Sequence, residues 1–229
     1  MKSIKYAHIV PLGNFRLSDK YNDMHLLLYH WAKESEKYLK YAKQSKVYKM
    51  LDNSQYELRQ EIDYDDLIRY AERMKCDEII APDVMYDFPR TKKLIEDFIP
   101  KVPKGMKIQG VVCGSTVGDL DACYDWLCEN ERIDVIGISK HGCSFDSVDY
   151  YNDRQKFMNT ILGTYKPIHM LGVNHFDDFL TNISTFPIRS IDGKFLAKVA
   201  NFNEKIDLNK HINPNRLQSL FDLFKAMKK

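Results

Sequence analysis

Residues 107–114 read KIQGVVCG, and residues 119–130 read DLDACYDWLCEN: a short apolar run, then a helix-like stretch. Val- and Ile-rich runs that do not alternate suit strands buried on both faces, as in parallel sheets. The same pairing recurs in both directions. Upstream, DEIIAPD (77–83) precedes RTKKLIEDFI. Before it, KVYKMLD (46–52) precedes DYDDLIRYAERMK, where Leu67, Ile68, Ala71 and Met74 keep helical spacing. Downstream, DVIGISK (134–140) precedes RQKFMNTILGTY, and PIHMLGV (167–173) precedes FDDFLTNI. At the beginning, AHIVPL (7–12) reads as a strand and about residues 22–45 as one long amphipathic segment. At the end, PIRSID (187–192) and FLAKVA (195–200) read as strands, with a helix from about Asn213.

A strand and helix of about 30 residues make a βαβ-sized unit. Seven or eight such units close most naturally into a (β/α)8 barrel of the TIM type, an α/β fold, here a single domain over residues 1–229. An open doubly wound sheet is the competing arrangement. It usually carries a Gly-rich phosphate loop after its first strand, whereas that turn here reads PLGNFRLSD.

The net charge of +2 gives no global pull toward nucleic acid, so any basic surface must be local. The five cysteines (Cys76, Cys113, Cys123, Cys128, Cys143) are odd in number and irregularly spaced. They read as reduced thiols in a cytoplasmic protein, and the lack of a Cys-x-x-Cys pair argues against structural zinc. No run approaches the roughly 20 apolar residues of a membrane span.

In a barrel, the C-terminal strand ends carry the chemistry. Those positions are Gly13 and Asn14, Asp52 and Asn53, Asp83, Cys113 and Gly114, Lys140 and His141, Asn174 and His175, and Asp192. Aspartate is disfavoured inside strands and is a good helix N-cap, but three on one rim exceed what capping explains. Asp192 has its own competing reading. In FPIRSIDGKF (186–195), Asp-Gly between two strand-like runs is a strong hairpin signal. Two carboxylates on one rim suit a nucleophile that traps a sugar as a covalent ester and a partner that shuttles a proton.

The stretches MLDNSQYE, IIAPDVMYD, GVVCGS, VIGISKHG, HMLGV and IRSID, in this order, resemble the guanine-transglycosylase superfamily. That superfamily comprises the queuine and archaeosine tRNA enzymes and compact phage and bacterial enzymes that place 7-deazaguanines in DNA. The resemblance implies base exchange through a covalent aspartyl-sugar intermediate. It implies that Asp192 is the nucleophile and Asp52 the general acid/base, with Tyr56 stacking on the base and Asp83 binding the purine edge. Asn53, Cys113, Gly114, Gly137 and Ser139 fall among the base-contacting positions. No cysteine follows Cys143, so the zinc subdomain of the tRNA enzymes is missing, and Ser54 and Gln55 replace their double glycine. These departures favour the DNA branch. The implied partners are DNA, with tRNA as the alternative, and a free 7-deazaguanine such as preQ0, with no cofactor. A carboxylate-pair N-glycoside hydrolase and an inactive nucleobase-binding barrel are the other readings.

Lys140 and His141, at a strand end, are candidate phosphate contacts. Lys37 and Lys40 belong to a lysine series in KESEKYLKYAKQSKVYK that suits either phosphate tracking or a solvated helix face. His169, inside its strand, reads as a core residue or a support for the site. Arg189, three before Asp192, belongs on the opposite strand face.

Overall fold

The computed structural model describes residues 4–60, 62–141, 150–161, 166–173 and 188–227. Eight parallel strands form one sheet in the order β1-β8-β7-β6-β5-β4-β3-β2. They are β1 (Lys5–His8), β2 (Met24–Leu28), β3 (Tyr48–Asp52), β4 (Glu78–Ile80), β5 (Lys107–Val112), β6 (Val135–Ser139), β7 (Ile168–Leu171) and β8 (Ile188–Gly193). Helices intervene, and the sheet curls into a nearly closed (β/α)8 barrel, as the strand–helix alternation predicts.

The eight strands are not quite those read from the sequence. The segment 22–45 is not one amphipathic helix. Its residues MHLLL are all buried and form β2, which follows the short helix α1 (Phe15–Ser18) and precedes α2 (Tyr29–Glu34) and α3 (Glu36–Gln44). The helical periodicity belongs to α3, whose Tyr38, Leu39 and Ala42 face inward. FLAKVA is a helix (Phe195–Ala200), because its buried Leu196, Ala197 and Ala200 share a helical face. The first strand ends at His8, before the turn that Pro11 opens. FDDFLTNI, Asn174, His175 and Cys143 lie outside the described residues.

The seam between β1 and β2 is stitched by side chains. Tyr6 N–H donates to Asp23 Oδ2 (3.0 Å) and His8 N–H to Asn22 Oδ1 (2.9 Å). Asn22 Nδ2 donates to the His8 carbonyl (3.2 Å), and Asp23 N–H to that of Tyr6 (3.0 Å). The open edge of β1 therefore has its backbone groups occupied.

Inside the barrel, Arg189 on β8 donates twice to Glu78 on β4, Nη1 to Oε2 at 2.7 Å and Nη2 to Oε1 at 3.1 Å. Four strand positions separate β4 from β8 in the sheet order, so this pair crosses the lumen. Tyr48 Oη donates to the same carboxylate at 2.7 Å. Alternation alone would put Arg189 on the face away from Asp192. The register instead shifts between Ile168 and His169, so that Ile168 pairs with Ile188 and His169 with Ser190. The extra residue is Arg189, and the bulge lets Arg189, Ser190 and Asp192 all serve the interior.

The Asp-Gly step makes no hairpin. Ala7 pairs with Asp192 and His8 with Gly193 in parallel register. A Cβ on Gly193 would lie 2.1 Å from the Val173 carbonyl oxygen. Glycine is required here for close backbone approach, not for a turn.

Two outcomes are expected in denaturant unfolding. Gly193→Ala destabilises by about 1–3 kcal/mol through overpacking. Arg189→Met, which strands the fully buried Glu78, costs about 3–5 kcal/mol, and adding Glu78→Gln restores most of that loss.

Candidate active site

The strand ends open into one cavity of about 1010 Å³. Asp52, Asn53, Tyr56, Asp83, Cys113, Ser139, Lys140, His141 and Asp192 all line it, so the three rim aspartates do converge. None of the three only caps a helix remote from the others.

Asp52 ends β3. Its Oδ2 accepts from the backbone N–H of Ser54 at 3.0 Å, and Ser54 takes a left-handed φ of 58° to make the bend. Ser54 opens the short helix Gln55–Leu58, which carries Tyr56 and Glu57 over the rim. Burial, followed by the carboxylates of Glu57 and Asp192, holds the Asp52 carboxyl well above the usual carboxylate range.

Asn53 ties two strands together. Its Nδ2 donates to the Ala81 carbonyl (2.7 Å) and to Asp83 Oδ1 (2.8 Å), and its Oδ1 accepts from Gln55 N–H (2.9 Å). Both amide protons are thus committed, and through them Asn53 orients Asp83. Burial raises Asp83 to about 6, opposed by the Asn53 hydrogen bond.

Asp192, near the end of β8, is only 4% exposed. Its Oδ1 receives Gly172 N–H at 3.1 Å and contacts His169 Nε2 at 3.2 Å. Its Oδ2 has no hydrogen-bond partner among the described residues. Two carboxyl groups in such different surroundings are suited to different tasks: a proton-holding Asp52 and an acceptor Asp192 held by donors on one oxygen.

Other expected site residues sit differently. The Cys113 thiol donates to Thr91 Oγ1 at 3.2 Å, and its neighbour Cys123 together with burial pushes its pKa up, so it presents a neutral, tethered thiol. Gly114 does not line the cavity. A Cβ there would lie 2.6 Å from Asp119 Cβ, so this glycine lets β5 pack against the start of the helix Val117–Glu129. Gly137 lies beneath the cavity, where a Cβ would meet Gln109 Nε2 at 2.7 Å. Tyr56 is exposed, but its ring already stacks on His141, with centroids 4.6 Å apart and planes 11° apart. Lys37 and Lys40 are exposed on α3 and do not line the cavity. Helical spacing turns them outward as it turns Tyr38 inward, where its hydroxyl accepts from Leu28 N–H at 3.2 Å.

Several lining residues escape a reading of strand ends alone. Glu57 and Lys194 approach each other across the mouth at 3.5 Å, with the Lys194 ammonium also over the Trp31 ring. His30, Arg59, Lys198 and Lys205 complete a mostly basic rim that also carries Glu34 and Asp207. Lys194 could have been found from its place two residues after Asp192. Glu57, His30 and Lys198 reach the rim from the short helices Gln55–Leu58, Tyr29–Glu34 and Phe195–Ala200, whose placement no local pattern announces.

Among the described residues, no group of three or more His, Cys, Asp or Glu side chains is arranged to hold a metal ion. No helix there is long and apolar enough to cross a membrane. No protein-family model and no curated protein matches the chain.

The Asp83 environment has a consequence for stability. A carboxyl raised from 3.8 to about 6 by folding stabilises the native state fully at low pH. That contribution is lost as pH climbs through the folded value, because the unfolded chain releases its proton first. Asp83→Asn keeps the bond from Asn53 and removes the buried charge. The variant should melt within about 2 °C of wild type near pH 4 and about 6–12 °C higher at pH 7.5, by calorimetry.

Proposed function

We propose that this protein is a base-exchange transglycosylase that replaces guanine in DNA by a 7-deazaguanine. The observation that carries the reading is the convergence of Asp52, Asp83 and Asp192 in one cavity, with Asp192 Oδ1 engaged by Gly172 N–H and His169 and Oδ2 without a hydrogen-bond partner among the described residues. The motif resemblance supplies the substrate class.

In this reading a target nucleotide, flipped out or single-stranded, brings its purine against Asp83. Asp192 Oδ2 attacks C1′ while the C1′–N9 bond breaks, and the electron pair leaves with the purine. The developing oxocarbenium charge is offset by the Asp192 carboxylate. Asp52, whose surroundings favour the protonated acid, gives its proton to the departing guanine. The incoming 7-deazaguanine then attacks C1′ through N9 and returns a proton to Asp52. Cleavage of the C1′–Oδ2 ester regenerates Asp192. The basic residues Arg59, Lys140, Lys194, Lys198 and Lys205 at the rim suit phosphates flanking the reacting nucleotide.

Stacking on Tyr56 requires the base either to take the ring face opposite His141 or to part the two rings. A planar purine needs about 3.5 Å on each side, the van der Waals separation of carbon atoms.

The test is incorporation of labelled 7-deazaguanine into DNA, with guanine release and strand integrity followed together. Wild type should exchange base for base without net cleavage. Asp192→Asn should reduce exchange by at least about 10³-fold while its melting temperature stays close to wild type, since the amide keeps the shape but cannot form the ester. Wild-type-like exchange by Asp192→Asn would sink the mechanism. Release of base with water as acceptor would instead make the protein an N-glycoside hydrolase, and labelling of tRNA but not DNA would move the substrate.

A further inference from the structure

Below Asp192 runs a series of buried hydrogen bonds that the proposed chemistry does not itself require. Arg189 Nε donates to Ser190 Oγ at 3.0 Å. Ser190 Oγ lies 2.8 Å from His169 Nδ1, and His169 Nε2 lies 3.2 Å from Asp192 Oδ1. Ser190 and His169 are both fully buried.

The direction of every link follows from donor chemistry. A guanidinium has no acceptor, so Arg189 must donate, and Ser190 Oγ must accept from it. Among the described residues, the other partner of Ser190 Oγ is His169 Nδ1. The hydroxyl proton therefore has one place to go. Nδ1 accepts it, and the proton of the neutral ring is placed on Nε2. Nε2–H then donates to Asp192 Oδ1, which an ionised carboxylate accepts. An imidazolium would instead donate from Nδ1 and leave the buried Ser190 proton without an acceptor, beside the Arg189 cation. Arg189 is in turn held by Glu78, across the barrel.

We propose that this one-way chain, Arg189 to Ser190 to His169 to Asp192, fixes the His169 tautomer and so dedicates Asp192 Oδ1 to the protein and Oδ2 to the cavity. His169 is then a positioning residue for the carboxylate. Its kinetic consequence rests on the reading of Asp192 as nucleophile, but its tautomer does not. Gly172 N–H, the second donor on Oδ1, biases the carboxylate the same way. Its φ of 71° is a conformation glycine adopts without strain.

Two arms test it. In long-range ¹H–¹⁵N spectra at pH 7, the His169 signals are identified by their loss in His169→Gln. They should report a neutral ring protonated on Nε2 in wild type and a mixture of tautomers in Ser190→Ala. A proton on Nδ1, or an imidazolium, in the wild-type protein would overturn the chain. The kinetic arm uses base exchange. His169→Phe should lower kcat about 100-fold, the scale of a misplaced reacting group, with KM for the free base within about two-fold. His169→Gln, whose amide can still donate to Oδ1, should recover about ten-fold or more of that loss. A well-folded His169→Phe with wild-type kcat, or a loss that Gln does not recover, counts against positioning. If His169→Phe does not fold, Ser190→Ala takes its place, with a lowered kcat and unchanged KM expected and an unchanged kcat opposing. If wild-type protein exchanges no base at all, the transglycosylase reading fails and the spectra alone decide the chain.

Discussion

The Arg189–Glu78 pair joins opposite walls of the barrel. Glu78 is fully buried, and a carboxylate there needs a cation and further donors to offset its lost hydration. Two guanidinium bonds and the Tyr48 hydroxyl provide them. Such a pair contributes little net stability compared with apolar packing of the same volume. What it imposes is geometry. Arg189 can reach Glu78 only because β8 bulges at that residue, and the same bulge sets Ser190 and Asp192 on the interior face. The orientation of the cavity carboxylate thus depends on a charge placed four strands away.

Above that floor, the site differentiates chemically similar groups by surroundings. Asp52 sits among other carboxylates with a single backbone donor. Asp83 is held by one amide. Asp192 has a backbone N–H and an imidazole on one oxygen. Burial acts on the first two, joined at Asp52 by repulsion from Glu57 and Asp192, and directed hydrogen bonds organise the third. Different surroundings of this kind set the same side chain to different protonation behaviour within one cavity.

Closeness of β7 and β8 is the other constraint. Val173 N–H donates to the Asp192 carbonyl at 2.9 Å, and the Val173 carbonyl passes over Gly193. Ile9 N–H donates to the Gly193 carbonyl at 3.0 Å from the other side. The backbone around Asp192 is therefore held on both flanks, and its side chain has little freedom beyond the choice of which oxygen faces inward. Two contacts bear on that choice, His169 below the cavity and Gly172 N–H at its wall.

The sequence by itself determined the α/β class, the barrel, the place of the aspartates at strand ends and their common rim. It could do so because burial on both faces leaves an unbroken apolar run, and because aspartate is excluded from strand interiors. It misassigned β2 and the helix at 195–200, since a short, largely apolar run looks alike in a strand and in a buried helix until its neighbours are known. Asp192–Gly193 read locally as a turn, and only the approach of Val173 shows why the glycine is there. Glu57 and His30 joined the cavity from short helices that follow strand ends and Lys194 from the residue after β8, and Gly114 and Gly137 left it for packing roles. The Arg189–Ser190–His169–Asp192 chain was decided by tertiary structure alone, because a one-residue bulge reverses the face that strand alternation assigns and no composition or spacing encodes where a bulge will fall.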